Sequence, residues 1–181
     1  MNKLNCLATA LTIPALAMGT IVISGDRTLA ANSVKVSCDT STSVPTIVAT
    51  LSSQGQSEVQ AERRSQTSSI LSFLPKYFDR ESAVAQCQKT ATSLDSYYSQ
   101  GTMNYLASDT VNGKPVVCAV QRRGVRCNSY SSDILFSLEK TVNPIELLYD
   151  MLGENFKGSQ PPSSRTVSRI YTDLRPNWWP F

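Results

Sequence analysis

The sequence predicts an α+β protein, with an antiparallel sheet built from an N-terminal hairpin and a β-meander, two helices packed on one face, and two disulfides. Three observations predict it. Asn112-Gly113 divides two strand-like runs, an amphipathic helical pattern lies between Asp79 and Gly101, and the cysteines beyond the N-terminal segment form an even set of Cys38, Cys87, Cys118 and Cys127.

At 181 residues and 41% hydrophobic content, the chain suits one globular domain with tails, and nothing in it suggests a second domain. It divides into an export segment over 1–31, a domain over 32–155 and a basic aromatic tail over 156–181. The export segment has a short positive start, an apolar run from Leu4 to about Ser24 and small residues before polar sequence begins, the pattern of a signal peptide cleaved after Ala30 or Ala31. That run is just long enough to span a bilayer, so an uncleaved anchor is the alternative. Cleavage removes Cys6, and the remaining even set in an exported chain implies two disulfides. Zinc is the rival use of four cysteines, but the chain has no C-x-x-C pair and no histidine.

Taken in order, Val34, Val36 and Cys38 alternate along a first strand. Asp39 to Pro45 supplies turn residues, and Thr46 to Leu51 is the β-branched and apolar return strand. Ser52 to Ser69 is almost without apolar content and reads as a solvated loop. Ile70 to Phe78 is apolar but broken by Pro75, which leaves an edge strand and a short packed segment both open. Asp79 is an N-cap for a helix of about twenty residues, on which Val84, Cys87, Ala91, Leu94 and Tyr98 form the apolar stripe and Gly101 the C-terminal stop.

Asn-Gly fits a two-residue type I′ turn, because both of its residues accept positive φ. With Val111 opposite Lys114, Ala107 falls opposite Cys118 and Tyr105 opposite Val120, so Val116, Cys118 and Val120 share a face with Tyr105. If Arg122 and Arg123 form the next turn, Cys118 lies opposite Cys127 and a cross-hairpin disulfide follows. Cys38 is then left for Cys87, and both of these face the interior. Ile134 to Leu138 is the next strand. Asn143-Pro144-Ile145-Glu146 starts a capped helix that runs to Gly153 and is too short to be stable without packing on the sheet.

These residues also carry a resemblance. The runs SCDTSTSVPTIVA, GTMNYLASDTVNGKPVVC, RGVRC, ILFSL and NPIELLYDML, with Tyr97-Tyr98 following Cys87, resemble the cyanobacterial circadian oscillating polypeptide family. Between Leu51 and Asp79, where that family carries a Trp-bearing strand, this chain has only Phe73, Tyr77 and Phe78 as aromatic residues. The resemblance implies an exported or membrane-associated cyanobacterial protein, and it transfers no catalytic residue.

The charge pattern points away from nucleic acid. Residues 31–155 hold 11 Lys+Arg against 12 Asp+Glu, whereas 156–181 hold four basic residues against one acidic. Without histidine, no Ser-His-Asp or Cys-His arrangement can be built. Glu139, Glu146, Asp150 and Glu154 have ordinary roles as caps or a solvated helix face. No glycine-rich phosphate loop is present, and no catalytic residue, metal site or cofactor is expected. Arg122, Arg123 and Arg126 cluster at a hairpin tip and are the candidate anion-binding residues, with a merely solvated tip as the alternative. In the tail, Arg175, Trp178, Trp179 and Phe181 are the candidates for contact with a membrane or a partner, because Trp with Arg suits a membrane interface. The alternative is that the tail folds back over an open sheet face.

The function expected from all this is an exported, membrane-associated, non-catalytic interaction domain that meets a membrane surface or an envelope protein. It would sit in the periplasm, the thylakoid lumen or outside the cell. A small extracytoplasmic enzyme using carboxylates or arginines, for example on glycans, and a redox-responsive module are the alternatives.

Overall fold

The computed structural model describes residues 32–53, 66–158 and 169–175. The export segment, positions 54–65 of the polar stretch, and Trp178, Trp179 and Phe181 lie outside the described residues. The elements in order are β1 (Asn32–Asp39), β2 (Thr46–Ser53), β3 (Gln66–Ser72), α1 (Arg80–Gln100), β4 (Tyr105–Val111), β5 (Lys114–Val120), β6 (Ser132–Ser137), α2 (Pro144–Met151) and β7 (Tyr171–Asp173).

The class is α+β with antiparallel pairing, and the hairpin and the meander build two separate sheets rather than one. The first has the order β1-β2-β3, and the second β6-β5-β4-β7. Cys38 pairs with Ile47 and Val36 with Ala49, so the apolar residues of β1 and β2 share one face. Gln66 to Ser69, expected in the polar loop, belong instead to β3, where Ser68 is buried opposite Ala49. Alternation persists there even though the residues are Ser and Thr. Pro75 lies past the strand, in the turn that leads to Asp79, so β3 needs no interruption.

α1 forms where the caps place it. The Asp79 carboxylate accepts from the Ser82 N–H at 2.9 Å and from the Ser82 hydroxyl at 2.6 Å, and Gly101 closes the helix at φ 67° with its N–H on the Tyr97 carbonyl. Its buried side is Ala83, Cys87, Thr90, Ala91, Leu94 and Tyr98, whereas Val84 is only partly covered. Asp95 accepts from the outward Val36 N–H of β1 at 2.7 Å, giving a partner to an edge-strand group that would otherwise lack one. α2 starts as expected, with the Asn143 side chain accepting from the Ile145 N–H at 2.9 Å and Pro144 in the first turn.

One interior joins both sheets to both helices, and it contains Val36, Ile47, Leu94, Leu106, Val117, Leu147, Leu148 and Met151. At its centre Phe73, Phe78 and Phe136 stack pairwise with centroids 5.2, 5.5 and 5.8 Å apart. Two of the three come from the stretch around Pro75, and the third comes from β6. The chain after α2 seals the outer edge of β3. Leu152 bridges to Leu71, and the Gly153 N–H donates to the Ile70 carbonyl at 2.9 Å. A Cβ at Gly153 would sit 1.9 Å from the Ser69 carbonyl oxygen, so only glycine allows this approach.

Both disulfides are present, Cys38–Cys87 between β1 and α1 and Cys118–Cys127, each with a Cα separation of 5.6 Å. The Asn112-Gly113 turn sets the predicted register, with Val111 opposite Lys114, Ala107 opposite Cys118 and Tyr105 opposite Val120. The second hairpin does not exist as predicted. β5 ends at Val120, which pairs with Ser132, so the connection is a long loop and Cys127 lies in no strand. The cysteines meet because that loop folds back over β5. The last strand was not read as a strand in the sequence, where a tail folded back on the sheet was one of two readings: β7 pairs with β4, and Leu174 beyond it is buried, so the fold reaches past position 155 into the stretch assigned to the tail.

Two stability measurements test this architecture. In the chain-entropy estimate, the bridge spanning 49 residues contributes about 4 kcal/mol and the one spanning 9 about 3 kcal/mol. A Cys38→Ala, Cys87→Ala double variant should therefore lose more stability in urea than a Cys118→Ala, Cys127→Ala one; the reverse order would show that loop entropy is not the governing term. Gly153→Ala should cost roughly 1–3 kcal/mol through forced displacement of the β3 edge, and a neutral result in the same assay would contradict the close approach.

Candidate functional site

The four-stranded sheet is buried on both faces. Leu106, Val117 and Ala119 point into the shared core, while Ala107, Val116, Cys118 and Val120 form a second cluster on the opposite side with Cys127. Tyr105, Val111, Val125 and Tyr171 pack against this outer cluster, and among the described residues no helix covers it. Its cover is the loop from Gln121 to Ser131.

Successive tight turns give the loop its shape. The Val125 N–H donates to the Arg122 carbonyl at 3.4 Å, the Ser129 N–H to Arg126 at 3.1 Å, and the Ser132 N–H to Ser129 at 3.2 Å. Gly124 takes φ 89°, a conformation that residues with a side chain rarely adopt. The loop is tethered to the sheet by the Cys118–Cys127 bridge, by the Tyr171 hydroxyl donating to the Val125 carbonyl at 3.0 Å, by the Ser132 hydroxyl donating to the Cys127 carbonyl at 3.0 Å, and by Asp109.

Asp109 stands on the outer face of β4 and is only 4% exposed. Its Oδ1 accepts from the Thr110 N–H at 2.9 Å and lies 3.2 Å from Arg169 Nε. Its Oδ2 takes longer contacts of 3.4 Å from Arg126 Nε and from the Cys127 N–H. The Arg169 contact is a charge pair rather than a well-aligned hydrogen bond, because Nε has no hydrogen-bond partner of good geometry. Burial alone would push the Asp109 carboxyl up, but the Thr110 N–H, Arg169 and Arg126 together more than offset this and hold it below the usual carboxylate range.

Above this carboxylate, Arg122, Arg123 and Arg126 line one shallow recess of about 560 Å³ with Asn128, Ser129 and Ser131. The structure thus brings the three predicted arginines together on a folded loop instead of a hairpin tip. Arg123 lies over the Tyr105 ring with its guanidinium carbon 5.3 Å from the centroid, and Arg126 is half-exposed. Tyr130 is fully exposed and Ile134 is 41% exposed; these are the exposed large hydrophobic residues among those described. Ile134 pairs with Cys118, which puts it on this same outer face.

Arg175 has a different place from the one proposed for it. Its guanidinium donates to the Tyr98 carbonyl at 3.2 Å, its N–H bonds Asp173, and the Tyr98 hydroxyl bonds the Leu174 carbonyl. The last turn of α1 has no basic residue, so Arg175 supplies the positive charge that a helix C-terminus favours. These contacts tie it to the end of α1. Of the carboxylates set aside in the sequence, Glu139 pairs with Lys114, Asp150 with Lys76 and Glu154 with Lys157. Among the described residues no group of His, Cys, Asp and Glu could hold a metal ion.

Sequence reasoning missed Asp109 and Arg169 as partners. Asp109 shares strand parity with Tyr105 and Ala107, so the register alone could have put it on the outer face beside the cysteine pair. Arg169 is sixty residues away and gave no such signal.

The electrostatic tether gives a pH-dependent prediction. Because the folded-state pKa of Asp109 is lowered, its contribution is fully present above the unfolded value of about 3.9 and is lost as pH falls through the folded value. Asp109→Asn should cost roughly 1–3 kcal/mol near neutral pH, and the gap to the natural chain should close on acidification below about pH 4. Melting curves across that range check it, and a gap independent of pH would show that the charge does not hold the loop.

No curated protein and no solved structure was found to match the chain. A sequence model of the family described as circadian oscillating protein COP23 matches residues 35–178, which takes in both sheets, both helices, all four disulfide cysteines and the arginine loop, and the chain belongs to that family.

Proposed function

We propose that the protein is an extracytoplasmic, non-catalytic interaction domain that meets an anionic membrane surface with the outer face of its four-stranded sheet. The single observation that carries this reading is the coincidence on one face of exposed Tyr130 and Ile134 with Arg122, Arg123 and Arg126. Tyrosine suits the headgroup level of a bilayer, an exposed aliphatic side chain suits the level beneath it, and each arginine near an anionic surface contributes about 1 kcal/mol. The disulfides suit an oxidising environment outside the cytoplasm. No helix among the described residues is long and apolar enough to cross a membrane, so the contact proposed is peripheral. This reading places the membrane contact on the arginine loop; Arg175 is engaged with Tyr98.

Co-sedimentation of the mature protein with phosphatidylglycerol-containing vesicles tests the reading. Binding should be strong at low salt, weak in high salt and absent with phosphatidylcholine alone. A Tyr130→Ser, Ile134→Ser variant should bind roughly tenfold or more weakly with an unchanged melting temperature, since the apolar area it removes is exposed in the free protein. A protein that stays in solution with anionic vesicles at low salt would overturn the proposal.

A further inference from the structure

The recess formed by the loop is more specific than a basic patch needs to be. We infer that it is a binding site for one phosphate group, gripped by Arg122 and Arg123, with Asp109 holding Arg126 in place beside it. The inference rests on the reading above and adds the chemistry of the contact. The phosphate is either free or the head of an anionic lipid, and both present the same oxygens.

Four features carry it. The charged side chains lining the recess are all cationic, and among the described residues no carboxylate pairs with Arg122 or Arg123. At about 560 Å³ the space is of the size that takes a small polar headgroup. Arg123 is braced against the Tyr105 ring, which limits the positions its guanidinium can take. The loop is already ordered, by the disulfide, by the Tyr171 bond and by its own turns, so little freedom is lost when an anion enters.

Phosphate fits this set better than carboxylate does. A carboxylate presents two oxygens in one plane, whereas a phosphate presents its oxygens around a tetrahedral centre and can accept from two arginine forks and from Asn128 or a serine hydroxyl as well. Asp109 sets the charge of the site from below. It is shared between Arg126 and Arg169, so its charge is matched there and does not cancel that of Arg122 and Arg123. Its burial keeps it from competing for the space the anion would take.

The test is a backbone-amide NMR titration of the mature protein with inorganic phosphate and then sn-glycerol 3-phosphate, alongside phosphatidylglycerol-containing vesicles. Saturable shifts confined to residues 121–131 are expected with both soluble probes. Arg122→Gln, Arg123→Gln should abolish them and weaken vesicle binding roughly thirtyfold, the loss expected for two charges at an anionic surface, without changing the melting temperature. Arg123→Lys keeps the charge but loses the planar fork, and it should retain vesicle binding while weakening the phosphate shifts. Shifts scattered over basic residues elsewhere, such as Lys35, Lys89 and Lys140, would overturn the site. So would loop shifts that survive the double arginine change; vesicle binding that survives it and is lost only with Tyr130→Ser, Ile134→Ser would overturn the lipid headgroup as the source and leave the membrane reading standing. Phosphate shifts in the loop without any vesicle binding would support the site, assign its ligand to free phosphate and overturn the membrane reading.

Discussion

A four-stranded sheet that is apolar on both faces, with helices for only one of them among the described residues, is the constraint from which the rest of this protein follows. α2 and the first sheet bury Leu106, Val117 and Ala119, leaving Ala107, Val116, Cys118 and Val120 to be covered by something else. The chain uses an irregular loop that brings few apolar residues of its own, chiefly Val125 and Cys127. Such a loop cannot hold itself down by burial at a few tens of cal/mol per Å², so covalent and charged tethers take over. The Cys118–Cys127 bridge, the buried Asp109 and the Tyr171 hydroxyl all converge on it. The same economy leaves arginines, Tyr130 and Ile134 on the outside, because the loop spends its inward positions on contact with the sheet.

What was legible in the sequence was what local chemistry dictates. Asn112-Gly113 fixes a turn type, the turn type fixes the register, and the register puts Cys118 on the outer face. Asp79 and Gly101 mark the ends of α1, and Asn143-Pro144 marks the start of α2, through side-chain and backbone groups within three or four residues. Arg122-Arg123 has no such determinism. Neither residue favours positive φ, and the glycine that does, Gly124, turns the loop away from a hairpin. The cysteine pairing deduced from a two-residue turn was nonetheless found, because Cys118 needed only a cysteine from the segment that covers its face.

The rest was settled by residues far apart in the chain. Nothing in Gln66-Thr67-Ser68-Ser69 announces a strand; pairing with β2 on one side and the approach of Gly153 on the other make it one. The division into two sheets depends on Phe73, Phe78 and Phe136 filling the space between them, an arrangement visible only when three separate segments are in place. β7 is three residues long and has too little pattern to be read, and its place depends on the open edge of β4.

The position of Arg169 and β7 so late in the chain bears on the order in which the protein can be assembled. Synthesis proceeds from the N-terminus, so Asp109, Arg126 and both cysteines of the outer face exist before Arg169 and Tyr171 do. During that interval the Asp109 carboxylate has a single arginine for company and β4 has a bare edge, open to pairing with any extended chain nearby. The segment from Arg169 to Arg175 therefore acts as a latch: within seven positions it pairs with the first half of β4, completes the charge pair and, through Arg175, quiets the end of the long helix. A chain released short of that point would keep its disulfides and most of its core while exposing the one strand best suited to sticking to a neighbour.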